Sequence, residues 1–264
     1  MIEIKAVSKS FKRRGKKRKG KKFESEPAVT GSIIHALTEI TFTAENGKIL
    51  GLLGQNGAGK TTLLRILATS LKPTTGTALF DGVDILQNPI EVRRRIGFLS
   101  DNTGLYGRLT GREMIEYFGR LHGIDRRTLK NRVEELINLL SMKDFIDKRN
   151  DTLSSGMKQK VSIARTLIHD PQILMFDEPT TGLDVVAAEA ILQFIESCKQ
   201  KGKTVLFCTH HMHEVERLCD KIAMLSRGRL CFLGTPKQML GQTNQSHLDK
   251  AFLSIVGSGG LTNA

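Results

Sequence analysis

Gly54-Gln55-Asn56-Gly57-Ala58-Gly59-Lys60-Thr61-Thr62 lies between a compact apolar run, residues 49–53, and a good helix-forming stretch, residues 61–71. The spacing fits G-x-x-x-x-G-K-[ST] between a strand and a helix. Its glycines let the backbone curl until the N–H groups of the loop converge, and the helix N-terminus adds a field that favours anions. The residue types therefore suit a phosphate chain. The Lys60 ammonium is placed to reach the β- and γ-phosphates, and the Thr61 hydroxyl to ligate Mg²⁺. The competing reading is an ordinary Gly-rich turn, and the strand before and helix after weigh against it.

Working outward, the apolar segment 173–176 is followed directly by Asp177-Glu178. A buried strand ending in acids sets them at the carboxyl edge of a sheet, where nucleotides bind in α/β folds. Neighbouring strand residues face opposite ways, so the two acids are expected to do different work. Asp177 suits Mg²⁺, through water, and Glu178 suits a general base acting on the attacking water. Acids after a strand are also common as helix caps. The preceding phosphate loop is what turns this pair toward an NTPase.

The rest of the chain alternates strand and helix signals. Residues 2–4 alternate in hydropathy and lead toward Phe11, and strand patterns recur at 37–42, 204–208, 221–225 and 229–233. Residues 89–170 read as mainly helical, with Val133, Leu136, Ile137 and Leu140 spaced as one buried stripe. Further helices are expected at 185–199, 212–218 and 247–256. Such alternation implies a parallel α/β core. No uninterrupted apolar run approaches the roughly 18 residues of a membrane-spanning helix, and the start, MIEIKAVSKSF, has no secretory character. The expectation is a soluble chain in the cytoplasm. Cys198, Cys208, Cys219 and Cys231 are scattered without a CxxC pair, which fits reduced thiols, with Cys208 as a small buried hydrophobe.

The formal charge of +13 is concentrated. Nine of the eleven residues from Lys12 to Lys22 are Lys or Arg, and setting those nine aside leaves +4. This run opens a polar insertion, 12–32, which reads as a solvated, exposed segment. It also suits contact with an anionic membrane surface, at about 1 kcal/mol per basic residue, or nonspecific contact with nucleic-acid phosphates. No aromatic is interleaved in the run, which argues against specific single-strand binding. His210, His211 and His213 could suggest a metal cluster, but only His210 is called for by an ATPase reading.

Five further segments resemble the ABC ATPase family. Leu153-Ser154-Ser155-Gly156-Met157-Lys158-Gln159 resembles its signature motif, Thr181-Gly182-Leu183-Asp184 its D-loop, and Thr209-His210 its switch histidine. Phe11 matches the aromatic that stacks on adenine, and Asp101 stands where the family usually has its Q-loop glutamine. The resemblance runs in order from about residue 2 to 256. It implies an α/β fold with a P-loop core, an antiparallel β edge and a helical subdomain at about residues 90–170. The ATPase domain would span 1–241, with a C-terminal helix and tail over 242–264. It also implies two subunits sandwiching two ATP molecules head to tail. The loop Gly54, Gln55, Asn56, Gly57, Ala58, Gly59, Lys60, Thr61 and Thr62 of one subunit would face Ser154 and Gly156 of the other. Asp184 would cross the interface, and His210 would touch the γ-phosphate. Metal contacts would come from Thr61, Asp177 and the acidic Asp101, since Mg²⁺ prefers oxygen ligands. The signature departs from the family pattern at Ser155 and Met157, where glycine and glutamine are usual.

Within the family, residues 96–110 and 153–165, together with Leu248-Asp249-Lys250-Ala251-Phe252-Leu253, resemble the sodium-export ATPase group. The implied role is an ATPase at the cytoplasmic face of a membrane, driving export of Na⁺, or of a drug or lipid, through a separately encoded permease, with part of the segment 106–121 forming the groove that receives a coupling helix from that permease. A stand-alone ABC ATPase acting on ribosomes or DNA is the rival reading. The chain has neither the duplicated ATPase units nor the long coiled-coil insertion of those types. A nucleotide sensor without turnover is disfavoured because Lys60, Asp177, Glu178 and His210 are all present.

Overall fold

A computed structural model describes residues 1–12, 28–30, 33–100 and 104–257. In chain order its strands are β1 (Ile2–Lys12), β2 (Ala28–Thr30), β3 (Ile33–Ala44), β4 (Ile49–Leu53), β5 (Thr75–Phe80), β6 (Val83–Asp84), β7 (Ile96–Leu99), β8 (Ile173–Asp177), β9 (Thr204–Cys208), β10 (Lys221–Ser226) and β11 (Arg229–Gly234). The helices are α1 (Lys60–Leu67), α2 (Pro89–Arg95), α3 (Gly111–Leu121), α4 (Arg126–Leu139), α5 (Ser155–Leu167), α6 (Val185–Gln200), α7 (Met212–Leu218), α8 (Pro236–Thr243) and α9 (Leu248–Gly257). Most of the basic run and of the insertion, along with Asp101, falls outside the described residues.

The strands form two sheets. One is antiparallel, in the order β2-β3-β1-β5-β6; the other runs β11-β10-β4-β9-β8-β7 and is parallel from β10 to β7. Every residue of β4, β8 and β9 is buried. A period of two divides them between two cores. Leu174, Phe176, Val205 and Phe207 face a core shared with α3 to α7. Leu52, Met175, Leu206 and Cys208 face a second core with α1 and the antiparallel sheet. Each such Leu, Ile or Phe contributes about 1.5–3 kcal/mol by leaving water. Asp177 follows Phe176 on β8, so the same alternation turns it toward the α1 face.

Two expectations need amending. The stretch read as helical from about residue 90 contains β7, whose register Ile96↔Ile173 to Leu99↔Phe176 makes it the edge of the parallel sheet. A four-residue apolar run is too short to display either period, and only its pairing with β8 decides it. The helix after the phosphate loop stops at Leu67, four residues early. Ala68 caps it, and Thr69 takes a left-handed φ of 57°. Val133, Leu136, Ile137 and Leu140 are buried as their spacing predicts. All four cysteines are buried free thiols. No helix among the described residues is long and apolar enough to cross a membrane.

Candidate functional site

The phosphate loop leaves β4 at its carboxyl end and enters α1 through Gly59, whose φ of 109° and ψ of −1° are the helix N-cap. No side chain caps α1, which leaves its first amides turned to the loop's interior. The loop is braced from outside. Ala58 N–H donates to the Gln55 carbonyl at 3.1 Å, and Gly228 N–H, in the β10–β11 turn, donates to the Ala58 carbonyl at 3.0 Å. Lys60 is only 6% exposed. Its Nζ donates to the Gly54 carbonyl at 2.7 Å and the Gln55 carbonyl at 3.4 Å, so the ammonium is drawn across the mouth of the loop.

A cleft of about 540 Å³ opens over this loop, lined by Phe11, Gln55 to Thr62, Asp177, Glu178 and His210, with Ile34, Ala36 and Thr181. Elements far apart in sequence thus bring the expected phosphate, metal and catalytic groups together. Phe11 stands at the end of β1 opposite Ile34, more than one third exposed. The apolar wall it makes with Ile34 and Ala36 was not foreseen beyond Phe11 itself, because strand residues facing a ligand look like any other half-buried pair.

Asp177 is 1% exposed, whereas Glu178 has left the strand with a φ of 53°. That turn, more than strand alternation, separates the two acids. Glu178 N–H donates to the Cys208 carbonyl, fixing the backbone at the end of β9. Its Oε2 accepts from Thr181 Oγ1 at 3.1 Å and lies 2.5 Å from His210 Nδ1; its Oε1 is 3.9 Å from Lys60 Nζ. Facing an acceptor-only carboxylate, His210 Nδ1 carries the hydrogen. Beneath the acids, burial pushes the Cys208 thiol well above its usual range, and the nearby Asp177 adds to the shift. The thiol therefore stays protonated. Thr61 and Asp177 both line the cleft, and a hydroxyl with a carboxylate is an oxygen set that fits Mg²⁺ better than a thiophilic ion.

Ser154, Gly156 and Asp184 are not among the residues lining this cleft. Ser154 is the N-cap of α5, accepting from Met157 N–H, and Asp184 is the N-cap of α6, accepting from Ala187 N–H at 2.9 Å. A side chain at Gly156 would meet the Ala187 Cβ at 3.2 Å, so the first turns of α5 and α6 lie side by side. Val185 and Val186, next to Asp184, are 85% and 80% exposed. The candidate residues thus divide into a cleft and a separate surface.

This division sits on a parallel sheet with an antiparallel edge, and a family model described as ABC transporter matches residues 37–181. This chain belongs to the ABC transporter family. As a member it is an ATP-binding, ATP-hydrolysing subunit. It is 43% identical over 223 residues to the ABC transporter ATP-binding protein NatA of Bacillus subtilis, covering 84% of this chain and 91% of that one. A solved ATP-binding subunit of an ABC transporter superposes with a TM-score of 0.80 at 26% identity, covering 96% of this chain and 98% of that one. A dimeric ATP-binding cassette in a post-hydrolysis state, bound to ADP and Pi, superposes at 0.76 with 25% identity, covering 89% and 98%.

One residue with no sequence signal completes the picture. Glu214, in the first turn of α7, is 2% exposed and accepts hydroxyl hydrogens from both Thr180 and Thr209. In the sequence it is one more acid on a short polar helix.

Proposed function

We propose that the chain is the motor of a membrane exporter and works as a dimer with two ATP molecules at shared interfaces. The observation that carries this is the split site. The cleft holds groups for the phosphates and metal, while Ser154, Gly156 and Asp184 form a second surface beside exposed Val185 and Val186. In a head-to-tail pair each cleft would be closed by its partner's second surface, so that the γ-phosphate is ligated from both sides. Hydrolysis then removes the shared ligand and releases the pair. The post-hydrolysis relative is itself a dimer, which supports the arrangement.

Within the cleft, Phe11 stacks on the adenine and the Gly54–Thr62 backbone cradles the phosphates, with Lys60 turning from the Gly54 carbonyl to the β- and γ-phosphates. Thr61 and Asp177 would hold Mg²⁺, and Asp101, which lies outside the described residues, is the further candidate ligand from the sequence. When bound, the ion neutralises phosphate charge and orients the γ-phosphoryl group. Glu178 takes a proton from the attacking water. His210, hydrogen-bonded to Glu178, reads the γ-phosphate at the same edge. A general base of this kind contributes about 10²–10⁴ in rate.

The power is delivered to a separately encoded permease at the cytoplasmic face of the membrane, docked on the helical part of the chain. Tyr106, Tyr117 and Leu121 are exposed there and give that surface its apolar character. The basic run from residue 12 to 22 would add attraction to anionic headgroups. The likeness of residues 96–110 and 153–165 to the sodium-export group supports Na⁺ as the exported ion.

The test is ATP turnover and ATP-dependent dimerisation of wild type and Glu178→Gln. The expected result is an ATP-trapped dimer in the variant, with turnover down at least about 100-fold. Wild-type turnover in the variant would remove Glu178 from the mechanism.

A further inference from the structure

The two loops that meet at the cleft floor are joined behind it by a single buried side chain. Thr180 lies two residues after Glu178, and Thr209 immediately precedes His210. Both threonines are buried, at 5% and 0% exposure. Glu214 Oε1 accepts from Thr180 Oγ1 at 2.7 Å, and Oε2 accepts from Thr209 Oγ1. The carboxylate is not among the groups lining the cleft. A carboxylate in this position is tolerated only because its hydrogen bonds are made, so α7 ties the β8 loop to the β9 loop at one point. Two further bonds extend the link. His211 N–H donates to Thr209 Oγ1 at 3.1 Å, and Gln159 Nε2, on α5, donates to the Pro179 carbonyl at 2.7 Å.

We propose that Glu214 is a positioning residue for ATP hydrolysis: by taking one hydroxyl from each loop, it fixes the spacing between Glu178 and His210. The inference rests on the assignment of those two residues above. Loss of the Glu214 carboxylate removes the side-chain link between Thr180 and Thr209 and leaves the loops held by the Glu178 N–H bond to the Cys208 carbonyl, so their spacing loosens, while the phosphate loop, braced instead by Gly228, keeps its own bonds. The two loops then shift at the reacting end of the nucleotide only. Misplacement of about 1 Å at a reacting centre costs on the order of 100-fold in rate. The predicted signature is a fall in kcat, counted per nucleotide-binding site, with little change in KM; loss of folded protein also lowers the apparent kcat at constant KM, so titration of binding sites and the Thr209→Ser rescue separate the two.

The experiment is steady-state ATP turnover of the full chain for wild type, Glu214→Ala, Thr180→Val, Thr209→Val, Thr209→Ser and the double variant Glu214→Ala/Thr209→Val, with Glu178→Gln as reference. Glu214→Ala and Thr209→Val are expected to lower kcat at least about tenfold with KM for ATP within about threefold. Thr209→Ser keeps the hydroxyl and is expected to stay within about threefold of wild type. The double variant should lose no more than the worse single, because both remove the same link. Should Glu214→Ala fail to fold, the near-isosteric threonine-to-valine changes carry the test. Wild-type kcat in Glu214→Ala, or in both valine variants, overturns the proposal. So do losses that multiply in the double variant, or a rise in KM at constant kcat. If those variants keep wild-type rates while Glu178→Gln is inactive, Glu214 alone is misassigned. If Glu178→Gln itself turns over normally, the underlying assignment of Glu178 is what fails.

Discussion

Replacing Gly59 by alanine should be among the most damaging one-carbon changes in the chain. Its φ of 109° and ψ of −1° lie well outside the left-handed well near +57°, +47° that an L-residue occasionally occupies. Backbone strain of this kind costs about 1–3 kcal/mol. The added Cβ would also stand 2.7 Å from the Ala36 carbonyl oxygen and 2.7 Å from Leu37 Cδ2. The leucine tip can rotate away. The carbonyl cannot, because β3 is paired to β1 on both sides of it, through His35↔Ser10 and Leu37↔Lys9. Overpacking of this sort adds about 1–3 kcal/mol, for a total of roughly 2–6 kcal/mol against a stability of about 5–15 kcal/mol. At about 2–4 °C per kcal/mol for a chain of this size, the melting temperature should drop by roughly 4–24 °C. Gly82→Ala is the matched control. Its φ of 80° is also positive, but a Cβ there meets nothing within 4 Å, so only about 1–2 kcal/mol of strain is expected. Thermal melts followed by circular dichroism, paired with titration of a fluorescent ATP analogue, compare the two. A Gly59→Ala protein that melts within 2 °C of Gly82→Ala, with unchanged nucleotide affinity, would falsify the reasoning.

Two other predictions concern groups outside the cleft. Burial pushes His169 down to about 4, helped by His122 stacked on it at 3.8 Å, while its Nε2 donates to the Ile96 carbonyl at 2.9 Å. The unfolded imidazole titrates near 6.5, so between pH 6.5 and 4 the unfolded chain binds more protons. The contribution is therefore full above pH 6.5 and lost as pH falls towards 4, by roughly 1–3 kcal/mol after allowance for partial solvent access. Urea melts across that range should be steeper in pH for wild type than for His169→Gln; equal slopes would remove His169 as the cause. Asp184→Ala deletes the α6 cap and should cost about 1 kcal/mol, visible as a 2–4 °C lower melting temperature of the isolated chain. An unchanged melt would show that the cap bond to Ala187 contributes nothing.

The sequence was most legible where chemistry demands rare residue combinations. The phosphate loop, the acids ending β8 and the histidine after β9 all stand together in the cleft, because each follows a fully buried strand of one sheet. It was least legible where only a partner defines the element. β5 and β7 escaped the periodicity reading: β7 has only four residues, β5 opens on the polar Thr75-Gly76-Thr77, and both become strands by pairing with β1 and β8. Glu214 was invisible for a related reason. Nothing local separates a buried, doubly bonded carboxylate from a solvated one, and its meaning lies in Thr180 and Thr209 on other loops. Ser154 and Asp184 show the reverse case. Each is a good N-cap in its own right, so their place in a motif and their local helix chemistry coincide, and only the exposed valines beside Asp184 suggest a second duty.

The position of β4 also bears on how the chain is born. Its five buried residues lie in the middle of the parallel sheet, flanked by β9 on one edge and β10 on the other. Both neighbours come from the last quarter of the sequence. During synthesis, the strand that launches the phosphate loop therefore emerges early and waits with both backbone edges bare, a template for unwanted pairing. Long-range closure of this kind is slow. ATP capture is therefore expected late in folding, and a ribosome stalled before β9 is expected to display a bare β4 edge and a loop that does not bind nucleotide.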